Sequence, residues 1–62
     1  MVPVTTVQLA LTHRVETPVG RGTLTEKRPV SGGYALVFQL DSGASLVGTY
    51  LPEKVWEVEL TS

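Results

Sequence analysis

Four cations, Arg14, Arg21, Lys27 and Arg28, lie between residues 14 and 28, with Tyr34 close behind. Cations beside an aromatic ring suit phosphate contact and base stacking, or the rim that meets an acidic partner. The loops Pro18–Gly22 and Lys27–Gly33 carry most of them. If the fold brings both loops to one end, Arg21, Lys27, Arg28 and Tyr34 form a single basic, aromatic-edged contact. The competing reading is a pair of solvated turns. Backbone amides at Gly20 and Gly22, helped by Arg21, suit an anion cradle. No Gly-Lys-Ser/Thr and no helix follows, so the stretch is no P-loop.

Acid–base chemistry has few candidates. Glu57 and Glu59 share one strand face, but charges in that arrangement on a last strand usually serve solubility. His13 is a lone histidine of apolar parity, which fits a partly buried, satisfied side chain. No serine, histidine and aspartate are placed as a triad. Cysteine is absent, which removes thiolate sites, and one histidine cannot build a zinc site. The expectation is no catalytic residue, no metal and no cofactor. Trp56 is either core filler or, beside Tyr50 and Pro52, an anchor for a protein interface.

The elements that must position these residues are strands. Apolar residues alternate at Val7, Leu9, Leu11 and Val15, then at Leu24, then at Tyr34, Leu36, Phe38 and Leu40, and last at Trp56, Val58 and Leu60. That period of two predicts half-buried strands. Val2 and Val4 have the opposite parity, and Pro3 confines this first piece to an edge. Pro18 with Gly20, then "RPVSGG", then "DSGAS" mark turns, and "LPEK" reads as one helical turn opened by Pro52. Gly48 in mid-strand marks a bend or a close approach. The 34–40 strand is apolar on both faces, so it is a central strand or its second face is covered by another subunit.

Sixty-two residues form one domain of marginal core, for which packing alone rarely suffices. A small homo-oligomer is therefore expected. The net charge of −1 gives no global pull toward nucleic acid or membrane. Residues 1–33 are nonetheless net basic and residues 34–62 net acidic, which suits head-to-tail pairing or one basic loop face. No stretch fits a signal peptide or a membrane span, so the cytoplasm is the expected compartment.

Five or so short strands, with one helical turn before the last, describe an all-β, SH3-like barrel, 1–62, whose residues 1–6 form an edge or arm. "RVETPVGRGTLTEK", "GYALVFQLDSG" and "YLPEKVWEVE" resemble the KOW-type and Tudor-like modules of transcription and translation proteins. The resemblance covers about residues 14–60 and rests on turn chemistry. It implies a non-catalytic binding module, first for an unidentified protein partner and alternatively for nucleic acid. "GYALVFQL" and "SLVGTYLPEKVWEV" are also similar to the last strands of plasmid-encoded type II dihydrofolate reductases. Those enzymes line a shared pore with Val-Gln-x-Tyr. The matching place here reads "LVGTY", with Tyr50 present and Gly48 where the glutamine stands, so the enzyme is the remote alternative.

Overall fold

A computed structural model describes residues 1–59. The expected strand residue Leu60 lies outside them. The described chain is all β. Its strands are β1 (Val2–Thr5), β2 (Arg14–Thr17), β3 (Gly20–Val30), β4 (Gly33–Leu40), β5 (Ser45–Tyr50) and β6 (Val55–Val58). They form one antiparallel sheet in the order β1-β6-β2-β3-β4-β5. The described residues form six strands where about five are expected. Among the described residues the outer strands β1 and β5 do not pair, so the sheet is open rather than a closed barrel.

Alternation places Val15, Leu24, Leu36, Phe38, Leu40, Trp56 and Val58 on one inner face, where with Leu9 they make the buried core. Val2, Val4, Tyr34, Leu46 and Tyr50 close around it. Phe38 and Tyr50 flank Trp56 with ring centroids 5.2 and 4.8 Å away. Both lie within the range of favourable aromatic pairs.

Two expectations are corrected here. The helical turn at "LPEK" is a β-turn: Lys54 N–H donates to Leu51 O at 3.2 Å, with Pro52 at its second position. The chain then passes directly into β6, so no second helical bond forms. The strand expected from Val7 to Val15 begins only at Arg14. Residues 6–13 form a loop, because Thr5 O captures the amides of Gln8 and Leu9, each at 3.0 Å. Of the alternating set, Leu9 is buried while Val7 and Leu11 are exposed.

Turn chemistry explains the hairpins. Leu40 N–H donates to Ala44 O at 2.8 Å and Gly43 N–H to Leu40 O at 2.9 Å. Gly43 has φ of 98°, the left-handed conformation that a three-residue hairpin with a bulge requires. Between Leu24 and Glu26 the β3–β4 register shifts by one residue. This β-bulge places Thr25 outside the ladder and changes the parity of everything after it. Lys27 consequently faces the inner side opposite Leu36.

Candidate interaction surface

The bulge explains the position of Lys27. Its ammonium donates to Val7 O at 2.8 Å and Leu9 O at 2.7 Å, and sits 4.7 Å from the centre of the Tyr34 ring. It thus fastens the 6–13 loop across the end of the core. Charge-assisted bonds to two carbonyls replace the ladder that those residues lack. His13 closes the same loop, accepting Ala10 N–H at Nδ1 over 3.2 Å. Thr12, at φ 73°, adopts a left-handed backbone that β-branched residues seldom occupy.

Arg21 lies at the other end of β3, beside the Thr17–Gly20 hairpin. Arg21 and Arg28 both lie within the eleven-residue β3, near its opposite ends, rather than in turns. A strand advances about 3.3 Å per residue, so the expected single basic rim does not form. Arg21 is also neutralised, with Glu16 at 3.0 Å and Glu59 at 3.6 Å. Arg28 is 70% exposed and pairs loosely with Glu26 at 3.4 Å on the outer face. Tyr34 is half-buried beneath Lys27.

Trp56 is 2% exposed, so its bulk fills the core and is not presented to a partner. Its indole N–H donates to Thr6 Oγ1 at 2.9 Å, and Thr6 Oγ1 donates to Lys54 O at 3.3 Å. Lys54 covers the ring at 4.7 Å. Tyr50 is half-buried and edge-on to Trp56. Its ring lies against Gly48, where an added Cβ would meet the Tyr50 hydroxyl at 3.0 Å. Gly48 thus marks a close approach, by a side chain rather than by backbone.

Part of the uneven charge along the sequence is paired within the chain. Arg14 grips Asp41 with two bonds of 2.8 Å and reaches Glu59 at 3.5 Å, joining the basic first half to the acidic second half. The guanidinium hydrogen bond holds the Asp41 carboxyl below its ordinary range, and Asp41 in turn raises Arg14 further above its own. These contacts occupy the outer face of β2, the start of β3 and the end of β6.

The outer face of β4 and β5 is different. Val37 opposes Val47, Ala35 opposes Thr49, and Gln39 opposes Ser45. Val47 is 68% exposed, and no residue of β5 is charged. The backbone of β5 is equally distinct. Leu40 bonds to Ala44, while Asp41 N–H donates to Arg21 O at 2.9 Å. Antiparallel alternation then turns Leu46, Gly48 and Tyr50 toward β4, and leaves the N–H and C=O of Ser45, Val47 and Thr49 facing outward. No strand among the described residues takes them. The sequence displays the apolar, uncharged β5, but its edge position depends on the non-local order of the sheet. Sequence reasoning therefore missed the edge.

Among the described residues there is no pocket, no cluster of metal-ligating side chains, and no helix long and apolar enough to cross a membrane. Compared with family models, curated proteins and solved structures, the chain matches none.

Proposed function

We propose that this chain is a non-catalytic, SH3-like binding module that recruits an extended protein strand onto the outer edge of β5. The observation that carries the reading is the uncharged edge with three outward N–H and C=O pairs, at Ser45, Val47 and Thr49. Backbone bonds along such an edge supply affinity, and alternate side chains supply selectivity. Ser45, Val47 and Thr49 are the exposed side chains that would contact the added strand. The nucleic-acid alternative has less support, because Arg14 and Arg21 are paired with carboxylates and Lys27 is bonded to loop carbonyls.

The test is a titration of dilute, isotope-labelled chain with an octapeptide of alternating valine and threonine, read at each backbone amide. Shifts concentrated at Ser45, Val47 and Thr49, with β1 silent, are expected. A single-stranded oligonucleotide that moves Lys27, Arg28 and Tyr34 at low salt, while the peptide moves nothing, would overturn the reading.

A further inference from the structure

We infer that the strand received by β5 is β5 of a second copy of this chain, paired antiparallel about a two-fold axis through Val47. The inference rests on the β5 edge being the contact surface, and it names the occupant and the register.

Self-complementarity carries it. A two-fold axis perpendicular to the sheet places one residue opposite itself, and neighbours opposite neighbours in reverse order. Centred on Val47, the pairing sets Val47 against Val47 of the second copy and Ser45 against Thr49 in both directions. All three outward-facing residues then become hydrogen-bonded pairs, giving about six backbone bonds. Centring on Ser45 or Thr49 leaves outward groups of β5 without strand partners. Centring on Gly48 uses two of the three residues and must recruit Leu51, whose carbonyl already accepts Lys54 N–H.

The side chains agree with that register. Valine would meet valine and hydroxyl would meet hydroxyl, both favourable cross-strand pairs. No charge on β5 opposes its own copy. Asp41, at the start of the turn that leads into β5, is gripped by Arg14. Val37 lies beside Val47 on β4, so the union would extend one apolar stripe across both copies without a charged interruption. Natural edges that stay single carry lysine, proline or a bulge against this outcome. None of these interrupts Ser45–Tyr50.

The experiment uses the whole chain. Sedimentation should show a monomer that becomes a dimer as concentration rises to about 1 mM, the range for an interface of this small extent. Val47→Lys should weaken dimerisation at least about tenfold, because like charges then face each other across the axis. Val47→Glu should do the same. Mixing the two variants should restore a dimer, a rescue that requires position 47 to face itself. The chain lacks cysteine, so Val47→Cys introduces a single thiol. It should oxidise to a covalent dimer, since hydrogen-bonded pairs hold Cα atoms about 5.5 Å apart, within disulfide reach. Val19→Cys, also exposed and on the Thr17–Gly20 hairpin, should not. Circular dichroism checks folding. If Val47→Lys fails to fold, the crosslink in the otherwise wild-type chain decides.

A wild-type chain that stays monomeric at about 1 mM overturns self-pairing. If that monomer still binds the valine–threonine octapeptide at Ser45, Val47 and Thr49, strand addition at β5 stands with a different occupant. If it binds neither, both readings fall. A dimer that survives Val47→Lys and does not crosslink through Val47→Cys also overturns the inference.

Discussion

The two edges of this sheet are built in opposite ways. Thr6 N–H bonds to Lys54 O, so alternation turns Val2 and Val4 toward β6 and leaves Pro3 and Thr5 facing outward. Pro3 has no N–H to offer. Thr5 N–H donates to Gln8 Oε1 at 3.3 Å, and Thr5 O accepts the amides of Gln8 and Leu9. The outward groups of Thr5 are thus taken by the turn that follows β1, and Pro3 offers no donor. β5 has six residues, no proline, no charge and three outward residues without strand partners among the described residues. Protecting one edge while leaving the other open gives the sheet a single direction for growth, which favours closed pairs over filaments.

The largest effect on this contrast is expected at the β4–β5 hydrogen-bonded border. A Cβ on Gly33 would run into the carbonyl oxygen of Tyr50, a backbone atom with little room to yield. Gly33→Ala should lower stability by about 3 kcal/mol, at the top of the overpacking range. It should also separate the last residues of β5 from β4. Urea denaturation measures the loss, and amide exchange at Tyr34 and Tyr50 locates it.

Thr6→Val comes next and addresses the protected edge. Its hydroxyl is fully buried and joins Trp56 Nε1–H to Lys54 O. Valine keeps the shape and leaves the indole N–H unpaired, at a cost of about 1–3 kcal/mol. Amides of β1 and β6 should exchange faster, while those of β4 and β5 keep their relative order.

Lys27→Met should cost less, about 1 kcal/mol, because the ammonium bonds it removes are partly exposed. Met retains the stem over Tyr34 but releases the carbonyls of Val7 and Leu9. The 6–13 loop, whose turn occupies β1's edge, should show raised exchange at Gln8 and Leu9. No change there would mean that Lys27 does not fasten the loop.

The smallest effect concerns pH. The Asp41 carboxyl is held below its ordinary range by its hydrogen bond to Arg14. Its contribution is fully present above the unfolded-state value, about 3.9, and is lost as pH falls through the lower folded-state value. Wild type should therefore lose more stability than Asp41→Asn below about pH 4. The two should run parallel at neutral pH. Thermal unfolding across that window reads the difference.

The residues explain which parts of this architecture were legible. Alternation from Tyr34 to Leu40 and the Asp-Ser-Gly turn identify β4 and its hairpin, because both signals are local. Pro3 marks an edge for the same reason. The 6–13 loop escaped because Val7, Leu9 and Leu11 alternate as a strand would. What breaks the strand is partly Lys27, distant in sequence, bonding to two of their carbonyls. Thr25 gives no sign that it leaves the ladder, so the inward turn of Lys27 was hidden too. The separation of Arg21 from Arg28 is legible in principle, since Leu24 between them belongs to the alternating pattern of a strand. The identity of the open edge is not, because it follows from β6 inserting between β1 and β2.

The contrast between edges is tested most directly by amide hydrogen exchange on the wild-type chain at two concentrations. At low micromolar concentration, Ser45, Val47 and Thr49 should exchange rapidly, while Leu46 and Gly48, bonded to β4, are protected. Near about 1 mM, where a weak dimer is populated, protection should rise at Ser45, Val47 and Thr49. Val2, Val4 and Thr5 should remain unchanged. Protection that rises at β1, or that stays unchanged at Val47 across the range, would contradict the account.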